Sequence, residues 1–300
     1  MAQKPKIIVI AGPTASGKTS IGVKLANDFN GEIISADSRQ VFRGLDLGTG
    51  KDLTEYNDIK YHLIDVIEPG EKFTLFDYLP VAREAIDDVI KRGKLPIIVG
   101  GTGLYIQGLV EGFALRQLRV KSKKLKIYSR KDSEKMTTGE LIETLNKINP
   151  KKSDQIDLKN RHRLIRAIEL AQEGLEPIKI EPQYDFLQIA IDRPREELHE
   201  KIDSRVESRF EQGMLEEVRD LLDSGVDPDW LCGLGLEYKA ITDHLTHKKY
   251  DSTDVMKQDL KYKIHQFARR QFTWFRRFPE INWLSNYKDI KRFVQIFISH

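Results

Sequence analysis

The sequence contains one cysteine, Cys232, in 300 residues. A lone cysteine excludes an intramolecular disulfide framework and a cysteine-rich zinc site. No apolar run approaches the ~18 residues that span a membrane, and the N-terminal segment passes into a predicted strand without a signal-peptide pattern. These absences predict a soluble, cytoplasmic protein that makes no membrane contact.

The chain also lacks a strong net charge, since 49 Lys and Arg nearly balance 46 Asp and Glu. The basic residues are clustered, however. Residues 116–131 contain eight Lys or Arg and no acid, and residues 257–277 contain seven against Asp259 alone. Such patches indicate an anionic partner larger than a metabolite, although solvated helix faces would give either pattern equally well. No repeat and no distinct dimer seam is visible, so we expect a monomer.

Short apolar segments alternate with amphipathic helical patterns in the first third of the chain. "KIIVIAG", "EIISAD" and "LPIIVGG" have the composition of buried strands, and helical spacing follows the first two. This alternation predicts an α/β fold with a P-loop parallel sheet flanked by helices. Residues 116–182 show helical patterns without a convincing strand, so we predict an all-helical insertion domain between two parts of the core, residues 1–115 and 183–300.

The segment "GPTASGKT" fits the pattern G-x-x-x-x-G-K-[ST] between a predicted strand and helix, the context expected of a phosphate-binding loop. Its backbone amides and the helix N-terminus are suited to phosphate oxygens. Lys18 adds a positive charge, and the Thr19 hydroxyl is a candidate Mg²⁺ ligand. The motif leaves open which phosphates are bound. The predicted binding residues are Gly12, Pro13, Thr14, Ala15, Ser16, Gly17, Lys18 and Thr19.

Two further loops follow predicted strands, and the carboxyl ends of parallel strands share one edge of a sheet. In "ISADSRQVF", the Asp37 carboxylate is a candidate to bind Mg²⁺, position a nucleophile or accept a proton, but it also suits a turn. Arg39 and Gln40 carry planar groups suited to base edges or phosphates. In "VGGTGLY", Thr102 offers a hydroxyl, although a glycine turn alone is weak evidence.

Two arginine-rich segments remain. "RHRLIRAIEL" places Arg163 and Arg166 one helical turn apart, which suits phosphate contacts but also an amphipathic surface helix. "ARRQFTWFRRF" interleaves arginines with aromatic residues, a pattern that favours RNA unless the rings belong to the core.

Taken in order, "GPTASGKT", "ISADSRQVF", "GLDLGTGK", "YHLIDV", "VGGTGLYIQGL", "NRHRLIRAIEL" and "RRQFTWFRR" resemble the tRNA dimethylallyltransferase (tRNA isopentenyltransferase) family. The resemblance extends from Ile7 to about Trp283. It implies transfer of a dimethylallyl group from dimethylallyl diphosphate to N6 of the adenosine 3′ to certain anticodons of tRNA, with Mg²⁺ as cofactor. The phosphate loop would then hold the diphosphate leaving group.

The resemblance also implies roles for individual residues. Asp37 would accept the N6 proton, Thr102 would contact the adenosine, and Lys18 would act with them in catalysis. The insertion domain would contact tRNA. The implied tRNA-binding residues are Asp37, Ser38, Arg39, Gln40, Thr102, Arg119, His162, Arg163, Leu164, Ile165 and Arg166.

Some positions depart from the family pattern. Phe42 stands where a tyrosine is usual, "DLGTGKD" replaces "DIGTAKP", and "GLGLEYKAI" replaces Ile-Gly-Tyr-Lys-Glu.

Three other functions are compatible with the phosphate loop: an adenylate isopentenyltransferase, a P-loop small-molecule kinase and a nucleotide-switched RNA-binding protein. No clear Walker B strand ending in Asp is visible, which disfavours the last two.

Overall fold

The computed structural model of the chain describes residues 3–117 and 128–300. They form two units, of which the larger runs to Gly112 and resumes at Glu181, and the smaller is Phe113–Ile180. The unit boundaries lie two or three residues from the predicted domain limits of 116 and 182. No helix in the described part of the chain is both long enough and apolar enough to cross a bilayer.

A six-stranded, fully parallel sheet forms the centre of the larger unit. The spatial order is β3-β2-β4-β1-β7-β8. The strands are β1 (Lys6–Ala11), β2 (Gly31–Ser35), β3 (Tyr61–His62), β4 (Leu95–Gly100), β7 (Asp185–Ile191) and β8 (Asn282–Leu284), with β5 and β6 lying in the smaller unit. The predicted strands in "KIIVIAG", "EIISAD" and "LPIIVGG" are confirmed as β1, β2 and β4.

Nine α-helices and one 3₁₀ turn, Leu53–Tyr56, are assigned to the described part of the larger unit. Gly213, in a left-handed conformation, divides α8 from α9. The helices are α1 (Lys18–Asp28), α2 (Leu75–Lys91), α3 (Gly103–Val110), α8 (Arg195–Glu211), α9 (Met214–Asp223), α10 (Pro228–Leu234), α11 (Leu236–His247), α12 (Thr253–Phe275) and α13 (Tyr287–Ser299).

Burial explains why the strands form where they do. Ile8 and Ile10 of β1 are fully buried and pack with Ile97 of β4 in one hydrophobic cluster. Because β1 is covered on both faces, its sequence is a continuous apolar run rather than an alternating one. A second cluster joins α8, α9, α11 and α12. These two cores fix the sheet edge and the helices that lie beside the candidate site.

The smaller unit corrects the prediction of an all-helical insertion. Its described residues form four helices, α4 (Arg130–Lys135), α5 (Thr138–Ile148), α6 (Pro150–Ser153) and α7 (Arg161–Gln172), but also an antiparallel pair, β5 (Phe113–Gln117) and β6 (Leu175–Lys179). A two-stranded ribbon needs no continuous apolar run, and "LEPIK" tolerates Pro177 because each strand has one partner only. Neither strand was predicted, because both sequences are short and contain charged residues, and β6 also contains a proline.

Close packing at the sheet edge makes Gly100 a sensitive position. A Cβ atom there would lie 2.2 Å from the backbone oxygen of Ala36. We expect Gly100→Ala to lower the free energy of unfolding by about 1–3 kcal/mol, the usual cost of overpacking, measured by urea denaturation. Gly233→Ala is the matched control, since nothing lies within 4 Å of a Cβ there. Equal stability of the two variants would contradict this packing.

Candidate functional site

Three loops meet at the carboxyl edge of the sheet, as the alternation of strands predicts. They follow β1, β2 and β4 and carry Lys18, Asp37 and Thr102, all of which line one cavity of about 400 Å³. The loops are also bonded to each other, because the Thr102 amide donates to the Ala36 carbonyl at 3.1 Å.

The phosphate loop holds a buried hydroxyl and a lysine ammonium beside the N-terminus of α1. Gly17 is left-handed with φ of 85°, which places the N-terminus of α1 at the loop. Lys18 folds back so that its Nζ donates to the Pro13 carbonyl at 2.7 Å. The Ser16 hydroxyl is fully buried and has no hydrogen-bond partner among the described residues. Unpaired donors of this kind suit phosphate oxygens.

A second cation, Arg205 of α8, lies at the same loop and bonds to the Thr14 hydroxyl. Removal from water and then the charge of Arg205 lower the pKa of Lys18 to about 8. Removal from water and the charge of Arg209 lower the pKa of Arg205 to about 10. Two cations that destabilise each other in this way form a site for a polyanion, which would neutralise both.

Asp37 and Thr102 are held in fixed orientations on the cavity wall. The Arg39 amide donates to Oδ1 of Asp37 at 2.9 Å. The Ser38 amide donates to Oγ1 of Thr102 at 3.0 Å, and Thr102 donates to Oγ of Ser38 at 3.4 Å. These bonds orient a carboxylate and a hydroxyl toward the same space without engaging both Asp37 oxygens.

Gln271 of α12 links two of the loops. Its Oε1 accepts from the Thr14 amide at 2.8 Å, and its Nε2 donates to the Gly101 carbonyl at 2.9 Å. The side chain is buried, so both bonds are made away from bulk water. Gln271 therefore fixes the phosphate loop relative to the loop that carries Thr102.

The site has two cavities, which share part of their lining but differ in chemistry. The phosphate-loop cavity, about 280 Å³, includes Gly17, Thr19 and Asp52 in its wall. The aromatic cavity is the one of about 400 Å³ and is bordered by Phe267, Trp274 and Phe275 of α12. Both cavities share the lining residues Thr14, Lys18, Asp37, Thr49, Gly101 and Arg205.

The oxygen donors in the phosphate-loop cavity fit a hard divalent cation. Thr19, Asp37, Asp52 and Glu55 all line it. Burial, and then the charge of Asp52, raise the pKa of Glu55. No group of three or more His, Cys, Asp or Glu in the described ranges is arranged to hold a metal by itself. Mg²⁺ commonly binds through one or two protein oxygens together with substrate phosphates, and the hydroxyl and carboxylates of this cavity are ligands of that kind.

The residues expected to bind tRNA differ in their surroundings: some line a cavity, some bond within the fold and some are exposed. Arg39 lines the aromatic cavity, whereas the Gln40 side chain bonds to Ser35 and to the Gly50 carbonyl within the fold. In the smaller unit, His162 and Arg163 are exposed on α7 and Arg166 forms an ion pair with Glu169 at 3.0 Å.

The side chains of Leu164 and Ile165 are buried in the core of the smaller unit. They position α7 rather than offer a surface to RNA. Arg119 lies outside the described residues.

Several site residues were not identified from the sequence. Arg205, Gln271 and Glu237 line the aromatic cavity. Arg205 and Glu237 lie on helices rich in charged and polar residues, where they have the pattern of surface positions. The glutamine of "RRQFTWFRR" offered the one usable signal, a polar residue at a position that helical spacing assigns to the buried side.

Replacing Gln271 tests its role as a link between loops. We expect Gln271→Ala to lower kcat/KM for the diphosphate substrate by about tenfold, because the Thr14 amide loses its acceptor. Steady-state kinetics with the diphosphate varied would measure this. Gln266→Ala, an exposed position on the same helix, is the control and should change nothing. Unaltered kinetics in Gln271→Ala would show that the link is dispensable.

Comparison with protein families gives two matches. A family described as IPP transferase matches residues 40–278, and one described as isopentenyl transferase matches residues 5–60. A tRNA dimethylallyltransferase of Geotalea daltonii is 41% identical over 288 residues, which cover 94% of this chain and 92% of that protein. One from Syntrophotalea carbinolica is 41% identical over 301 residues, covering 98% and 99%.

Solved structures give the same result. A tRNA isopentenylpyrophosphate transferase from Bacillus halodurans is 31% identical with a TM-score of 0.70, and the match covers 99% of this chain and 96% of that one. A eukaryotic dimethylallyltransferase acting on tRNA is 28% identical with a TM-score of 0.73, over 90% and 69% of the two chains.

Proposed function

The chain belongs to the tRNA dimethylallyltransferase family, and we propose that it transfers a dimethylallyl group from dimethylallyl diphosphate to N6 of the adenosine 3′ to the anticodon in tRNA. One observation carries this proposal. The phosphate-loop cavity, lined by Lys18 and Arg205, shares part of its wall with an aromatic cavity, and Asp37 lies on that shared wall. The diphosphate fits the first cavity, and the reacting carbon and adenine fit the second.

The leaving group needs the most help, because negative charge accumulates on the diphosphate as its bond to the allylic carbon breaks. Lys18, Arg205 and the loop amides are fixed before the reaction and surround the position of that charge. Preorganised donors of this kind stabilise developing charge strongly in a site removed from water. The allylic carbon helps as well, since its positive charge is shared along the allyl system.

Asp37 has the complementary role at the acceptor. The adenine amine is a poor nucleophile because its lone pair is delocalised into the ring. A carboxylate oriented by the Arg39 amide aligns the amine and accepts its proton as the C–N bond forms. Thr102, on the neighbouring loop, contacts the same base.

Thr19, with Asp37 or Asp52, would hold Mg²⁺ against the diphosphate. Bound there, the ion would neutralise charge on the phosphate oxygens. The ion would be shared between these side chains and the phosphate oxygens, so the affinity of the protein for the ion would depend on the diphosphate.

The acceptor adenosine must leave the stack of the anticodon loop, which costs a few kcal/mol. Exposed arginines on α12 and directly after its C-terminus offer phosphate contacts that offset this cost: Arg269 and Arg270 on the helix, and Arg276 and Arg277 after it. The exposed His162 and Arg163 offer more in the smaller unit. With tRNA as substrate, we propose a monomer that acts in the cytoplasm.

A single incorporation assay tests the function against its alternatives. Labelled dimethylallyl diphosphate is offered with tRNA or with AMP, and labelled ATP is offered in a parallel reaction. We expect the prenyl label in tRNA, at the adenosine 3′ to the anticodon. Label in AMP would favour an adenylate isopentenyltransferase, and transfer from ATP alone would favour a kinase.

A further inference from the structure

A buried carboxylate in the aromatic cavity has no role in the chemistry described so far. We propose that Glu237 accepts a hydrogen bond from the ribose 2′-hydroxyl of the acceptor adenosine, and so makes the enzyme select a ribonucleotide at the reacting position. This inference rests on the proposed function and adds a specificity residue to it.

Glu237, near the start of α11, is 8% exposed, yet it lines the aromatic cavity beside Arg39. Its Oε2 lies 3.5 Å from Nη1 of Arg39, beyond the usual hydrogen-bond range. Among the described residues, Oε2 has no hydrogen-bond partner. A buried carboxylate oxygen without a hydrogen bond is costly even with a cation 3.5 Å away, so a hydrogen-bond donor on the substrate would bind favourably there.

The surroundings hold Glu237 in place. The neighbouring Tyr238 is fully buried, and its hydroxyl donates to Oε1 of Glu217 at 2.6 Å. The same Glu217 carboxylate accepts from three successive backbone amides, of Asp46, Leu47 and Gly48, at 2.7–3.1 Å. The start of α11 is thereby fixed to the loop that carries Thr49.

Arg39 is held from two other sides. Its guanidinium lies over the Phe267 ring, 5.4 Å from the centroid, and a Cβ at Gly235 would approach it to 2.7 Å. Arg39 and Glu237 therefore present a donor and an acceptor side by side, with little freedom to separate. A donor and an acceptor fixed in this way are suited to binding the polar groups of a ligand.

Hydrogen-bond chemistry limits which group of the substrate can bind to Glu237. A carboxylate only accepts hydrogen bonds. Within an RNA chain, adenosine has two donor groups, the N6 amine and the 2′-hydroxyl, and the amine is the reacting group assigned to Asp37. The cavity volume of about 400 Å³ lies in the range of small-ligand sites, so it can admit the acceptor nucleoside. The 2′-hydroxyl is the donor left for Glu237, and it is the group by which proteins distinguish RNA from DNA.

A cycle of chemical and protein substitutions tests the contact. Two anticodon stem-loop RNAs are compared, one with adenosine and one with 2′-deoxyadenosine at the acceptor position, against wild type and Glu237→Ala, which removes the acceptor. For wild type, we expect the deoxy substitution to lower kcat/KM for RNA by about tenfold or more. For Glu237→Ala, we expect a similar loss on the ribose hairpin and about twofold or less further loss on the deoxy hairpin. The KM for dimethylallyl diphosphate should stay unchanged.

An equal deoxy penalty in both proteins, or none in wild type, would overturn the proposal. Glu216→Ala, which removes an exposed carboxylate on α9, is the control and should keep the full penalty. If Glu237→Ala proves unstable by thermal melting, the same cycle with Glu237→Leu, which fills the space without an acceptor, decides the question. Failure of wild type to modify the ribose hairpin would instead count against the proposed function.

Discussion

Asp37→Ala should reduce kcat for prenyl transfer by about 10²–10⁴-fold, the range that a positioned general base contributes. The expected loss is specific to turnover, because Asp37 is one of many groups in the site and makes no ion pair within the described residues. The dissociation constant for tRNA, measured by gel shift without the diphosphate, should change by less than about threefold. Single-turnover assays would separate the chemical step from binding.

Two further variants sharpen this test. Asp37→Asn keeps the shape of the side chain and can accept the Arg39 hydrogen bond, but it cannot take a proton, so its kcat should fall nearly as far as that of Asp37→Ala. Asp58→Ala removes an exposed carboxylate elsewhere and should have no effect. A kcat within a few-fold of wild type in Asp37→Asn would exclude Asp37 as the base.

The sequence predicts the parts of this site that depend on local chain geometry. The phosphate loop, Asp37 and Thr102 each follow a buried strand, and the parallel sheet brings those strand ends together. Their positions are therefore readable from apolar runs and glycines. The short outer strands β3 and β8 cannot be predicted in this way, because two or three residues are too few to show a hydrophobic pattern.

The missing members of the site come from helices whose contacts are distant in sequence. Arg205 meets the phosphate loop from 191 positions away, and Gln271 meets it from 257 positions away. Nothing in the local pattern of "DSRVESRF" separates Arg205, at the cavity, from a solvated arginine. Likewise, the departure "GLGLEYKAI" gives no sign that Glu237 lines a cavity or that Tyr238 bonds to Glu217. Such residues are found from packing, since tertiary contacts decide which face of a helix is buried.

Arg205→Gln should lower kcat/KM for dimethylallyl diphosphate by about 10²–10³-fold, the loss typical of removing one donor to a developing negative charge. Kinetics with saturating tRNA and varied diphosphate would measure it. Arg219→Gln, which removes an exposed arginine on α9, should behave as wild type. If Arg205→Gln lost affinity for tRNA and kept its kcat/KM for the diphosphate, Arg205 would belong to the RNA interface.

The same variant should also move the pH profile. In the free wild-type enzyme the pKa of Lys18 is about 8, so the diphosphate-binding ammonium is lost as the pH rises through 8, and kcat/KM should fall there. The charge of Arg205 is one cause of that low value, so removing it raises the pKa of Lys18, and the alkaline limb should move to higher pH. A lower kcat/KM with its alkaline limb displaced upward is a result that simple misfolding would not produce. An alkaline limb at the same pH in both proteins would show that Lys18 is not the group that titrates. It would also contradict the proposal that Lys18 and Arg205 bind the diphosphate as one coupled site.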